Sequence, residues 1–178
     1  ATKLAGYEIA NDTLMAKYGQ LRHYPTWTID IRTDLNEITN KAIWVLMGTA
    51  LLAFVGSGTA DWNTIIASYV GFRFSSGSNS DTWAVVACTG GTQTVVNYGG
   101  SAVTANTTYR LKLRADPDAG KIWGSVNGGS EVAVTSGLPT DTTKLGYLYV
   151  LQDQLAVVTN AGTIVYYSHT YHQGKDAA

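Results

Sequence analysis

Asp30 and Asp34, in one predicted strand, are this sequence's nearest approach to the paired carboxylates of a glycoside hydrolase. Retaining hydrolysis needs two carboxyl groups about 5 Å apart, a separation that same-face strand residues two positions apart achieve. These aspartates are four positions apart, and the cation of Arg32 stands between them. The pattern therefore indicates a solvated strand face whose opposite charges neutralise one another. We predict that the protein is not an enzyme and that it has no catalytic residues.

The histidines and the cysteine also lack the neighbours that catalysis would need. His169 and His172 are three positions apart in a predicted strand, so they point to opposite faces and cannot share a metal ion there. Cys88 is the single cysteine, which excludes an intramolecular disulfide and a metal site with four thiolate ligands. Because it lies in the apolar stretch TWAVVAC, we predict a buried structural thiol rather than a nucleophile.

Two short clusters of oxygen-bearing side chains are candidate calcium sites: Asp116 with Asp118, and Asn79 with Asp81. Calcium takes six to eight oxygen ligands, and each cluster falls short of that number. Both clusters have the composition of ordinary turns. We therefore predict no metal site and no cofactor.

Two loop segments combine an aromatic ring with amide or carboxylate groups: Asp61, Trp62 and Asn63 in one, and Asn97 and Tyr98 in the other. Proteins grip carbohydrate with an exposed aromatic face flanked by such hydrogen-bonding groups, and loops on a rigid scaffold can present them. The alternative is that the rings pack over the edge of the fold. We predict these five residues as the ligand-binding set.

Composition limits the partners of the chain. The 178 residues suit one domain, 45% are apolar, and only 14% are charged, against ~25% in a typical soluble domain. Threonine, serine, asparagine and glycine fill the difference, and such a surface desolvates at low cost against a protein or a sugar. The net charge is −1 without a basic run, so we predict no nucleic-acid partner.

The most apolar stretch, Ala42–Val55, is interrupted by Gly48 and Thr49. It is shorter than the ~20 residues of a membrane-spanning helix, and we predict no membrane partner. Periodicity alone does not separate a buried helix from two buried strands here. We predict two strands, because Gly48 and Thr49 can turn the chain and the neighbouring segments resemble strands.

The strands that hold these side chains in place are predicted most clearly between Thr107 and Gly129. Apolar and basic residues alternate through Tyr109–Arg114, which is the period of a strand with one buried face. The turn residues Asp116–Gly120 lead into a second strand, Lys121–Val126, and an Asn-Gly turn leads into a third. The segment therefore predicts a three-stranded antiparallel meander.

Further strands are predicted along most of the chain. They cover Trp27–Asp34, Thr64–Ser75 as one strand or two, Trp83–Thr89, Thr92–Asn97, Lys144–Leu151 and Gly162–Tyr171. Gly90 and Gly91 predict a two-residue hairpin turn, and Gly71 predicts a bulge or a close packing contact. Roughly eleven to thirteen strands without a long helix predict an all-β fold, a two-sheet antiparallel β-sandwich.

Four tryptophans lie inside predicted strands. Trp27, Trp44 and Trp83 are predicted core residues. Trp123 alternates with Ile122, so it is predicted to face outward, where a partner can reach it.

The segments TYRLKLRAD and IWGSVNGG, joined by a turn, resemble the back-sheet hairpin of concanavalin A-like and laminin-G-like jelly-roll domains. TWTIDIRTDL resembles an early strand of the same domains, and the likeness runs from Trp27 to the C-terminus. It implies one jelly-roll domain over residues 1–178. Alternation predicts an N-terminal strand near Thr13–Tyr18, with a short helix as the alternative. As a strand or an arm, residues 1–24 would pair with the C-terminal strand, Ile164–Tyr171, or pack near it.

Many phage virion proteins contain such domains, and the Thr-, Ser- and Gly-rich texture here is similar to theirs. The resemblance implies a non-enzymatic virion structural protein, a capsid decoration or a tail or fibre component, that contacts other virion proteins and also adheres to glycans. It further implies a homo-oligomer, assembled in the host cytoplasm and located in the virion. The alternative is a secreted lectin or carbohydrate-binding module.

Overall fold

Eleven β-strands are present in the computed structural model, which describes residues 4–10, 20–33, 38–39, 41–49, 68–76, 81–154, 165–172 and 174. In chain order the strands are β1 (Leu4–Ala10), β2 (Thr26–Arg32), β3 (Lys41–Gly48), β4 (Tyr69–Ser75), β5 (Ala84–Thr89), β6 (Thr92–Asn97), β7 (Thr108–Asp116), β8 (Lys121–Val126), β9 (Val132–Val134), β10 (Tyr147–Gln154) and β11 (Val165–His172). A short 3-10 helix, Leu21–His23, precedes β2.

The strands form two antiparallel sheets. The six-stranded sheet has the order β1-β10-β3-β4-β5-β6, and the five-stranded sheet has the order β11-β2-β7-β8-β9. β9 contacts both β5 and β6, so the sheets stack face to face. The predicted two-sheet antiparallel β-sandwich is confirmed, and so is the β7–β8–β9 meander.

Aromatic side chains join the two sheets through the core. The ring of Trp83 meets Phe74 of the six-stranded sheet edge-on, with 6.2 Å between centroids. On its other side it meets Tyr109 of the five-stranded sheet at 5.7 Å. Trp27 and Trp44 are also buried, so the three predicted core tryptophans are confirmed. Burying one such side chain contributes on the order of 1.5–3 kcal/mol.

The centre of the six-stranded sheet is buried on both of its faces. β3 is buried at every position, and Trp44 and Leu46, which point away from the core cluster, are 0% exposed. A strand covered on both faces loses the polar alternation that marks a half-exposed one. The strand prediction is confirmed for Lys41–Gly48, while Ala50–Val55 lies outside the described residues.

Two tight turns set the registers on which the candidate site depends. Gly90 and Gly91 have φ of 56° and 81°, and this two-residue turn closes the predicted β5–β6 hairpin. Asn127 and Gly128, with φ of 52° and 73°, follow β8. Left-handed backbone at both central positions favours glycine and asparagine, because other side chains are strained there.

Gly71 lies where β4 approaches β3 too closely for a side chain. A Cβ at this position would overlap the carbonyl oxygen of Val45 and lie 2.9 Å from the Cα of Leu46. The predicted close packing is confirmed.

The terminal strands lie in different sheets. β1 pairs with β10, whereas β11 pairs with β2, and each is an edge strand. They therefore do not pair with each other. The predicted strand near Thr13–Tyr18 lies outside the described residues, and the packing of residues 1–24 near the C-terminal strand stays a prediction.

Candidate functional site

One of the two predicted ligand-binding segments lies within the described residues, and the other does not. Asp61, Trp62 and Asn63 lie outside the described residues. Asn97 is the last residue of β6, which is an edge strand of the six-stranded sheet, and Tyr98 follows it directly.

Asn97 is exposed and lies on the outer face of this sheet. Its Oδ1 accepts hydrogen bonds from the hydroxyl of Thr82 at 2.5 Å and from the backbone N–H of Gly99 at 3.0 Å. The second bond belongs to a local turn of the kind that asparagine stabilises. Asn97 is therefore held in a fixed orientation at the surface.

Tyr98 points to the other side of the chain and is only partly exposed. Its ring packs against the hydrophobic core, and its hydroxyl donates to the carbonyl oxygen of Val126 at 3.3 Å. This placement agrees with the packing alternative for Tyr98. Neighbouring residues of an extended chain face opposite ways, so Asn97 and Tyr98 do not form one binding surface.

A polar patch on the outer face of the six-stranded sheet contains Asn97 and three residues that are not in the predicted ligand-binding set. We call Arg73, Gln93, Val95 and Asn97 the Arg73 patch. Registers place Arg73 opposite Ala84, and Ala84 opposite Asn97, so these three share one row across β4, β5 and β6. Two strand spacings separate Arg73 from Asn97, about 10 Å.

A hydrogen-bond relay positions the guanidinium of Arg73. Nη1 of Arg73 donates to Oε1 of Gln93 at 2.8 Å, and Nε2 of Gln93 donates to the hydroxyl of Tyr69. Tyr69 is fully buried, which gives the relay a rigid base. The register places Gln93 opposite Cys88 of β5, and Cys88 opposite Tyr69 of β4, so the Gln93 side chain reaches across β5, and its amide fixes the direction in which Arg73 points.

Arg73 has unused hydrogen-bonding capacity. It is partly buried, and its Nε is shielded from solvent without a hydrogen-bond partner. Within the described part of the chain, no carboxylate forms an ion pair with it. Val95, between Gln93 and Asn97 on β6, is 39% exposed and offers an apolar contact. A fixed cation, two amides and a methyl surface can bind a polyhydroxylated molecule.

On the outer face of the five-stranded sheet, by contrast, two arginines are paired with carboxylates of the chain. Arg110 donates Nε and Nη2 to the two carboxylate oxygens of Asp30 at 2.8 and 2.9 Å, and Arg114 binds Glu131 at 2.6–3.0 Å. The hydrogen bond and charge of Asp30 raise the pKa of Arg110. A raised pKa keeps the cation charged until the solution becomes strongly alkaline.

A depression of about 560 Å³ on this face is the second candidate. It is lined by Asp30, Thr108, Arg110 and Asn127. Its charges pair with each other, and the Oδ1 of Asn127 accepts the backbone N–H of Arg110 at 2.8 Å. Because its main polar groups already bind one another, this depression offers a ligand less than the Arg73 patch does.

Trp123 lies on the same outer face and is partly exposed, as predicted. The Cζ of Arg114 is 5.0 Å from its ring centroid, and the Nζ of Lys121 is 5.6 Å from it. Both cations are within the range of a cation–π contact. The ring is thus engaged by the protein's own side chains.

Of the remaining candidate groups, Asp34 and Asn79 lie outside the described residues. Cys88 is fully buried. Asp116 accepts the backbone N–H of Ala119 at 3.1 Å, as a turn residue does. In the part of the chain described, no three metal-ligating side chains converge, and no helix is long and apolar enough to cross a bilayer.

The sequence contains a weak signal for Arg73, which hydrophobic periodicity alone does not mark as a site residue. In YVGFRFS it is the single charged residue of a strand that is otherwise buried. A cation in such a strand must be paired, solvated or available to a ligand. Gln93 gave no such signal, because its partners lie on another strand.

No family model matches the chain, and the search of curated proteins found no similar sequence. Solved structures do share its fold. Toad ovary galectin in complex with thio-digalactose has 8% identity, a TM-score of 0.51 and coverage of 94% of this chain and 98% of that one. Sheep galectin-11 has 10% identity, a TM-score of 0.50 and 96% coverage of both chains. Alginate lyase A1-II′ has 13% identity, a TM-score of 0.51 and coverage of 87% of this chain and 64% of that one.

These neighbours support the jelly-roll, concanavalin A-like fold implied by the sequence resemblance. At such low identity they show the fold alone. None of the three is a virion protein, so the virion location, the virion partners and the homo-oligomer stay predictions.

Proposed function

We propose that this protein is a non-enzymatic, lectin-like carbohydrate-binding domain whose binding surface is the Arg73 patch. The observation that carries the proposal is the relay from Tyr69 through Gln93 to Arg73, which holds a partly exposed guanidinium in place. Sugar hydroxyls are recognised by fixed donors and acceptors of this kind.

The size of the patch suits a short saccharide. Arg73 and Asn97 lie about 10 Å apart across the strands, and Gln93 and Asn97 lie about 13 Å apart along β6. Ala84, between Arg73 and Asn97 on β5, is 0% exposed. Val95 lies between the two amides on the same face and offers a C–H surface for a sugar ring. The toad ovary galectin that binds thio-digalactose shares this fold, which supports the secreted lectin or carbohydrate-binding module over a purely structural virion role.

The test is a glycan array followed by isothermal titration of the best ligand. We expect saturable binding that Arg73→Ala weakens about 10- to 100-fold, because a hydrogen bond to a charged group contributes roughly 1.5–3 kcal/mol. Lys112→Ala, an exposed change on the opposite sheet, is the matched control and should leave the affinity unchanged. Thermal unfolding of each variant checks that it is folded.

Two results would contradict the proposal. Absence of saturable binding to any glycan would remove the function. Binding that is lost in Trp62→Ala but unchanged in Arg73→Ala would place the site on the predicted Asp61–Asn63 loop instead of the Arg73 patch.

A further inference from the structure

We infer that the Arg73 patch selects carbohydrates that carry a carboxylate, such as uronic acids, over neutral sugars of the same size. The inference rests on the proposed function and adds the ligand's charge to it. It follows from the charge state, burial and remaining donors of Arg73.

Arg73 differs from the two best-defined arginines of the five-stranded sheet. Arg110 and Arg114 each face a carboxylate within 3.0 Å, from Asp30 and Glu131 respectively. Arg73 donates instead to the neutral amide of Gln93, and no described acid forms an ion pair with it. An arginine does not lose its proton in a protein, so Arg73 gives the patch a positive charge that no described carboxylate pairs with.

Partial burial makes that charge respond strongly to an anion. Nε of Arg73 is shielded from water and has no partner, so the guanidinium is incompletely solvated. A cation in this state gains more from a bound carboxylate than a fully hydrated one, because less water must be displaced and the local dielectric is lower.

The remaining donors of Arg73 lie at the outer end of its side chain. Nη1 uses one N–H for Gln93, while Nη2 is not among the shielded atoms and has no described acceptor. A second N–H of Nη1 and those of Nη2 therefore remain for a ligand. Two parallel N–H groups match the two oxygens of a carboxylate, a geometry that a hydroxyl cannot use in full.

The experiment compares trigalacturonate with its methyl ester, which has nearly the same size but no charge. Titrations with the full chain in 50 mM salt should give at least tenfold tighter binding of the acid, and this preference should shrink at 500 mM salt. Arg73→Gln should abolish the preference, while Arg73→Lys, which keeps the charge but loses the fork, should retain part of it. Lys112→Ala should retain all of it.

Several results would overturn the inference. Equal affinity for acid and ester in the unmodified chain would refute the charge selection, and the proposed function would still stand if either bound. A preference that persists in Arg73→Gln would assign it to another cation. If neither compound binds, the inference fails, and neutral ligands on the array then decide whether the proposed function survives. An array in which sulfated glycans bind and carboxylated ones do not would also overturn it.

Discussion

Replacing Gly124 with alanine should overpack the space between the two sheets. Gly124 is a buried residue of β8, and a Cβ built on it lies 2.5 Å from Cγ2 of Val85, 3.1 Å from Cγ1 of Val85 and 3.1 Å from Cζ of Phe72. Val85 and Phe72 belong to the opposite sheet and are 0% and 1% exposed. The added methyl group therefore has no free volume to enter.

The structure sets the expected magnitudes. Overpacking a dense core costs about 1–3 kcal/mol, and the lower entropy of an unfolded alanine offsets ~0.4–1 kcal/mol of it. Gly124→Ala should thus destabilise the fold by about 1–2 kcal/mol. Val85→Ala removes two buried carbons and leaves a cavity, at a cost of about 2–3 kcal/mol.

In the double variant most of the conflict is absent, because Val85→Ala deletes the atom of the 2.5 Å contact and the atom of one of the two 3.1 Å contacts. The new methyl group also fills part of the cavity. We expect the double variant to be about 1–2 kcal/mol more stable than the sum of the single changes predicts.

Urea unfolding of the four proteins of this cycle measures the coupling, with thermal melts as a check at roughly 2–4 °C per kcal/mol for a chain of this size. Lys112→Ala should stay within about 0.5 kcal/mol of the unmodified chain and controls for surface effects. Additive free energies within about 0.5 kcal/mol would refute the inter-sheet contact of Gly124 with Val85.

Two further predictions concern the six-stranded sheet. Gly71→Ala should destabilise the fold by more than about 2 kcal/mol, because the new methyl group would overlap the carbonyl oxygen of Val45, and backbone relaxes less readily than a side chain; a urea midpoint equal to that of the unmodified chain would contradict this. The thiol of Cys88, which is 0% exposed, should react with a water-soluble disulfide reagent only as fast as the protein unfolds. Stoichiometric labelling within seconds under native conditions would show that the thiol is accessible.

Local patterns predicted much of the fold because they depend on nearest neighbours along the chain. The alternation in Tyr109–Arg114 produced β7, and Gly90 with Gly91 closed the β5–β6 hairpin. β3 was harder, since its apolar residues lie on both faces and leave no period to read. Its strand prediction relied on the turn-forming Gly48 and Thr49 rather than on alternation.

The candidate site was less accessible to such reasoning. The sequence identified Asn97, but its companions Arg73 and Gln93 are 20 residues apart and meet only because β4 and β6 flank β5. In the same way, Asp30 binds Arg110, which is 80 residues away in sequence and lies opposite it on β7.

Sequence alone determined that this chain forms strands, where the tightest turns fall and which face of each half-exposed strand is apolar, because side-chain alternation and backbone strain act within a few residues. The tertiary structure decided which polar groups meet. Strand order places Arg73 beside Gln93 and leaves it without a described carboxylate, whereas Arg110 and Arg114 receive one each. Charge compensation is a property of neighbours in space, and strand alternation carries no information about it.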